Sequence, residues 1–117
     1  MEDTIAGKTR DFASEEWARL CARDHDALAV AEPERSVTVG ELIALARERA
    51  GQLLAQGVEQ GDRVIVARPN CIEFVVDYLA IRLCGGVLVN LPWSSGTSIT
   101  DLATILDARC VILTEHL

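Results

Sequence analysis

The run from Gly57 to Pro92, GVEQGDRVIVARPNCIEFVVDYLAIRLCGGVLVNLP, restricts the fold more than any other stretch of the chain. It reads as a turn, a buried strand at Val64 to Ala67, a helix from about Cys71 to Leu83, a Gly-Gly stop and a second strand at Val87 to Leu91. Parallel strands cannot be joined by a tight hairpin, so strand, crossing helix and strand in this order form the repeating unit of a parallel sheet. Ile72, Val75, Val76, Leu79, Ala80 and Leu83 keep the spacing of one helix face. Phe74, Tyr78 and Ile81 make the other side apolar too, which predicts burial on more than one face.

Upstream, residues 1–13 are polar and read as a flexible N-terminal tail. Ser14 is placed to cap a helix, with Glu15 and Glu16 in its first turn and Trp17, Leu20 and Cys21 inward. Asp24-His25-Asp26 reads as a polar turn. Ala27 to Ala31 and Val37 to Val39 read as two short strands joined through Glu32-Pro33-Glu34-Arg35, a small hairpin. Thr38-Val39-Gly40-Glu41 fits a capping box, and the helix behind it keeps Leu42, Leu45, Ala46, Ala50, Leu53 and Leu54 on one face. Gly57 supplies the left-handed stop. Asn70-Cys71-Ile72-Glu73 and Ser98-Ile99-Thr100-Asp101 repeat the capping pattern, and Cys110 to Thr114 closes as an apolar strand. The expected fold is α/β: a hairpin followed by α-β-α-β-α-β, a partial doubly wound, mostly parallel sheet with right-handed crossovers.

A chain of 117 residues suits one domain or part of one. The net charge of −7 argues against a nucleic-acid partner, because a phosphate backbone needs a basic face. No apolar run approaches the roughly 20 residues that cross a bilayer, and the N-terminus lacks the apolar core of a signal peptide. A cytoplasmic protein is expected. The four cysteines, Cys21, Cys71, Cys84 and Cys110, lack the spacing of a zinc or redox motif, and His25 and His116 complete no metal set. Cys71, Cys84 and Cys110 read as small core residues.

Chemistry is sparse. Gly85-Gly86 precedes a strand rather than a helix, and neither a dinucleotide fingerprint nor a P-loop occurs. Ser94-Ser95-Gly96-Thr97-Ser98 leads into a helix N-terminus, but with no Lys or Arg in it and one Gly it reads as an ordinary loop with a cap. There is no G-x-S-x-G elbow. A receiver-type module fails because the strands end in Arg68-Pro69, Pro92 and Glu115, and Lys8 is the sole lysine. Asp62 and Glu73 are explained by turn chemistry and capping. No catalytic, cofactor-binding or metal-binding residue is assigned.

Three pieces, Val37-Thr38-Val39-Gly40-Glu41-Leu42, Gly57 to Asn70, and Arg82 to Pro92 (RLCGGVLVNLP), resemble in order and spacing the N-terminal segment of the AMP-forming, adenylate-forming superfamily. Its members include acyl- and aryl-CoA synthetases, adenylation domains of nonribosomal peptide synthetases, and luciferases. Thr38, Glu41 and Leu42 match its first motif, with Val39 in place of the usual aromatic; Leu83 to Pro92 match the second, with Cys84 where Ala is usual. The resemblance covers roughly Ala27 to Glu115.

The resemblance implies two-step chemistry: a carboxylate attacks the α-phosphate of ATP, giving an acyl-adenylate and pyrophosphate, and a thiol of CoA or a carrier pantetheine then takes the acyl group, with Mg²⁺ assisting. It places the phosphate loop, the acidic ATP-binding residues and the catalytic Lys beyond this chain. Residues 14–117 would thus be the N-terminal part of an AMP-binding domain, truncated before the phosphate loop, inactive alone and binding no cofactor itself. Its partner would be the remainder of the enzyme, with an open sheet edge that a second copy could also use. A standalone binding or regulatory module and a non-functional remnant stay open as alternatives.

Overall fold

A computed structural model describes residues 4–5, 8–9, 12–68, 71–91 and 98–113. Two short strands, β1 (Thr4–Ile5) and β2 (Lys8–Thr9), pair antiparallel ahead of helix α1 (Phe12–Cys21). Ser14 therefore lies inside α1 rather than capping it: the helical backbone already starts two residues earlier. Strands β3 (Leu28–Ala31) and β4 (Ser36–Thr38) form the expected antiparallel hairpin, closed where the Glu32 amide donates to the Arg35 carbonyl at 2.6 Å.

Helix α2 (Val39–Ala55) opens on the full capping box. Thr38 Oγ1 accepts from the Glu41 amide at 3.2 Å, and Glu41 Oε1 accepts from the Thr38 amide at 2.8 Å. At its other end Gly57 takes φ +95°, which lets its amide reach the Leu54 carbonyl at 3.0 Å and the Val58 amide reach Leu53 at 3.1 Å. This double bond pattern is the Schellman stop, and Leu53 and Val58 join the same buried cluster beneath it. Helix α3 (Ile72–Leu83) ends in the same way: Gly85, at φ +76°, donates to Arg82 and Gly86 to Ile81.

The capping box expected at the start of α3 turns on Asn70. Asn70 lies outside the described residues, the N-cap is Cys71, and its side chain makes no cap hydrogen bond. The carboxylate of Glu32, from the β3–β4 turn, takes the Ile72 amide instead. A cap supplied from 40 residues away leaves no local signature. At α4 (Ile99–Leu106) the sequence pattern holds, with Ser98 Oγ accepting from the Asp101 amide at 3.2 Å.

Strands β5 (Arg63–Ala67), β6 (Val87–Asn90) and β7 (Cys110–Leu113) form one parallel sheet in the order β6-β5-β7, as the alternation of strands and helices predicts. Every residue of β5 from Val64 to Ala67 is buried. Its side chains alternate between two faces. Val64 and Val66 pack with Leu53, Ala80 and Ile81 of α2 and α3; Ile65 and Ala67 pack with Leu102, Ala103 and Leu106 of α4. The helices thus cover both sheet faces, which is the doubly wound arrangement. On the far side of α2 and α3, α1 and the hairpin build a second cluster through Trp17, Leu20, Val30, Val37, Leu42 and Val76.

Candidate functional site

The most polar feature of the interior is a cluster of arginines and carboxylates at the seam of α2, α3 and the end of β5. Asp77, on α3, exposes none of its side chain. Arg49 of α2 donates to it through Nη1 and to Glu73 through Nη2 at 3.1 Å. Glu73 accepts a further bond from Arg35 Nη1 at 2.8 Å. Arg68, the residue after β5, holds its Nε 2.8 Å from Asp77 Oδ2. That pair lies off the axis of a hydrogen bond, and neither atom has a hydrogen-bond partner among the described residues, so the contact is coulombic.

Burial pushes the Asp77 carboxyl above the ordinary carboxylate range, opposed by Arg68 and Arg49. The hydrogen bond from Arg35 is the main reason Glu73 lies below that range, with Arg49 adding to it against partial desolvation. The cluster sets three guanidinium groups against two carboxylates. It can lock α2 to α3 and set the end of β5. Asp77 is fully buried, with Arg49 and Arg68 as its charged neighbours. The sequence explains Glu73 by capping and marks Asp77 by no local pattern. The available signal is an acid in the middle of a helix whose other charged residues, Glu73 and Arg82, lie in its first and last turns.

Asp62 behaves as turn chemistry predicts: it accepts from the Glu59 amide at 2.8 Å, and Arg109 Nε lies 3.1 Å away. His25 sits in an exposed turn, with Nε2 2.9 Å from the Cys21 carbonyl oxygen. The Asp26 amide donates to Asp24 Oδ1 at 3.0 Å, closing the polar turn the sequence predicts. Cys21, Cys71, Cys84 and Cys110 are free and partly buried, and burial pushes the Cys84 and Cys110 thiols up, away from nucleophilic use. Residues 94–97 of the serine-rich loop and His116 lie outside the described residues. A cavity of about 270 Å³ between α1, the hairpin, α2 and α3 is mostly apolar, walled by Leu20, Val30, Leu42, Val75 and Leu79, with Glu16 and Arg23 also lining it.

The described residues do not fit a nucleotide phosphate with its metal. No group of His, Cys, Asp or Glu among them could hold a metal ion. The Asp101 amide at the start of α4 is already taken by Ser98. No step of adenylation can be routed through these groups.

The architecture defines an α/β subdomain of the kind found at the start of adenylating enzymes. It matches the N-terminal subdomain of NpsA from Klebsiella oxytoca with a TM-score of 0.77 at 22% identity, over 86% of this chain and 27% of that one. It matches a benzoate CoA ligase from Burkholderia xenovorans with a TM-score of 0.78 at 26% identity, over 91% of this chain and 22% of that one. The family model for AMP-binding enzymes matches residues 15–115, and the chain belongs to that family. It is 44% identical over 85 residues to the nonribosomal peptide synthetase tcpP of Claviceps purpurea, covering 71% of this chain and 4% of the relative. It is 32% identical over 68 residues to a long-chain-fatty-acid–CoA ligase of Bacillus subtilis, covering 58% of this chain and 12% of the relative. The chain thus spans only a small part of these relatives' length. Among the described residues, no helix is long and apolar enough to cross a membrane.

Proposed function

We propose that residues 14–117 are the N-terminal part of a longer, AMP-forming acyl- or aryl-CoA synthetase-like enzyme, and that they frame its fold without contributing a catalytic, cofactor-binding or metal-binding residue. The observation that carries this reading is the pairing of a family match across residues 15–115 with an interior whose charged groups are spent on each other. The full enzyme would activate a carboxylic acid with ATP and Mg²⁺ and pass it to CoA or a carrier thiol, in the cytoplasm. The remainder of that enzyme is this segment's partner. A standalone binding module is the second reading, favoured by the mostly apolar cavity beside α1.

The test is acid-dependent ATP–pyrophosphate exchange, assayed on the purified 117-residue chain and on the product of the complete natural reading frame, with a panel of aliphatic and aromatic acids. Exchange by the longer product alone is expected. Exchange by the short chain would overturn the reading, as would an intact native mass near 12.7 kDa.

A further inference from the structure

The cavity of about 270 Å³ beside α1 takes its walls from four elements: Leu20 from α1, Leu28 and Val30 from the hairpin, Leu42 from α2, and Val75 and Leu79 from α3. It exceeds the roughly 150 Å³ in which an apolar pocket holds benzene. Leu28, 62% exposed, carries the apolar wall out to solvent, and the exposed Arg23 lines the same space. Three polar side chains reach the cavity, Glu16, Arg23 and Tyr78. Two of them are spent on each other. The Tyr78 hydroxyl donates to Glu16 Oε2 at 3.2 Å, and Arg82 Nε donates to Glu16 Oε1 at 3.1 Å, so both carboxylate oxygens are taken and the charge is matched. The Arg23 guanidinium has no ion pair among the described residues. Asp24, next to it in the chain, turns Oδ1 to the Asp26 amide instead. Arg19, one helical turn earlier, shares a neighbouring recess with Arg23 and adds a second cation there.

We propose that this cavity binds a small apolar carboxylate, its aromatic or branched body among the leucines and valines and its carboxylate on Arg23. The inference goes beyond the adenylation reading and does not depend on it. Sites of this kind draw affinity from an apolar wall and orientation from a few placed polar groups. A guanidinium fork matches the two oxygens of a carboxylate, which supplies Arg23 with the partner it lacks. A cationic head group would be repelled by Arg23 and would have to displace Arg82 or Tyr78 to reach Glu16. A neutral head group would leave Arg23 unpaired. The bound acid would bridge α1 and the hairpin to α2 and α3.

Methyl NMR of leucine and valine during titration with p-toluate tests this, on the 117-residue chain and on the product of the complete reading frame. The longer protein decides if the short chain does not fold alone. Saturable shifts are expected at Leu20, Leu28, Val30 and Val75, and none at Val64 or Val66 of β5. Arg23→Gln should weaken binding about ten-fold, the scale of a hydrogen bond to a charged group, and Arg23→Lys should restore most of it. Ala29→Leu, which fills the cavity from the hairpin, should abolish saturation. The β5 methyl positions report whether each variant keeps its fold. p-Toluamide, the neutral isostere, should bind the wild type about ten-fold more weakly than p-toluate, and Arg23→Gln no worse than the wild type. Absent saturation in the wild type, shifts spread into β5, or equal affinity for p-toluate and p-toluamide would overturn the inference. So would a p-toluate affinity that Arg23→Gln or Ala29→Leu leaves unchanged. Saturation of the short chain but not of the longer protein would mean that the rest of the chain covers the cavity, and would overturn it too. Acid-dependent ATP–pyrophosphate exchange by the longer protein stands or falls separately from these shifts.

Discussion

Arg49 of α2 and Asp77 of α3 are joined across the seam between the two helices, and the aspartate exposes none of its side chain. A buried pair of this kind contributes little net stability over an apolar replacement, but removing one partner strands the other charge away from water. Arg49→Leu, which takes the hydrogen bond from Asp77 and leaves it the off-axis contact with Arg68, is expected to cost about 1–3 kcal/mol in urea unfolding. The triple variant Arg49→Leu, Arg68→Leu, Asp77→Leu should recover most of that loss. A single-variant cost within about 0.5 kcal/mol, the range of an ordinary surface substitution, would show that the pair is not energetically buried.

The same cluster gives stability a two-sided pH dependence. Asp77 is raised by burial, so it binds its proton more tightly folded than unfolded; its contribution is complete below the ordinary carboxylate value of about 4 and is lost as pH rises through the folded value. Glu73 is held low by Arg35, so its contribution is present above about 4 and lost as pH falls through its depressed value. Stability should therefore pass through a maximum in mildly acid solution. Asp77→Asn should flatten the descending limb toward neutrality, and Glu73→Gln should flatten the acid limb. Urea midpoints across the pH range, measured for both variants, would separate the two; identical profiles for wild type and Asp77→Asn would refute the assignment of the upper limb.

Much of the fold is legible in the sequence because its signals are local. Thr38 with Glu41, Gly57, Gly85-Gly86 and Ser98 each act on atoms within a few residues, and each does in the structure what its position predicts. The order of strands and helices likewise fixes a parallel sheet, because short connections between parallel strands are sterically impossible. What could not be read is long-range. Glu32 caps a helix on the far side of the hairpin, and Glu73 turns from its own helix end toward Arg35 and Arg49. Asp77 was hidden for the same reason, since its partners come from α2 and from the end of β5.

The capping box at Thr38 should be worth what such boxes are worth elsewhere. Thr38→Ala removes the acceptor for the Glu41 amide and is expected to lower stability by about 0.5–2 kcal/mol, whereas Thr38→Ser keeps the oxygen and should cost much less. Equal losses in the two variants, read from denaturant midpoints, would assign the cost to packing of the lost methyl group rather than to the cap.

Two glycines should respond to the same substitution with opposite sign. Gly51 sits within α2 on an exposed turn, and a Cβ added there meets nothing within 4 Å. Gly51→Ala is expected to stabilise the chain by about 0.5–1 kcal/mol, because alanine loses less backbone freedom on entering a helix. Gly86 has no such room. A Cβ there would come within 3.1 Å of Ile81 Cγ2 and 3.2 Å of the Asp62 carbonyl oxygen. Neither can yield easily: Ile81 is fully buried, and the Asp62 carbonyl accepts from the Val87 amide at 2.7 Å. Gly86→Ala is therefore expected to cost about 1–3 kcal/mol, the usual range for overpacking. Thermal or urea unfolding of the two variants side by side decides the matter, and a stabilising Gly86→Ala would mean that the turn between α3 and β6 is looser than its hydrogen bonds require.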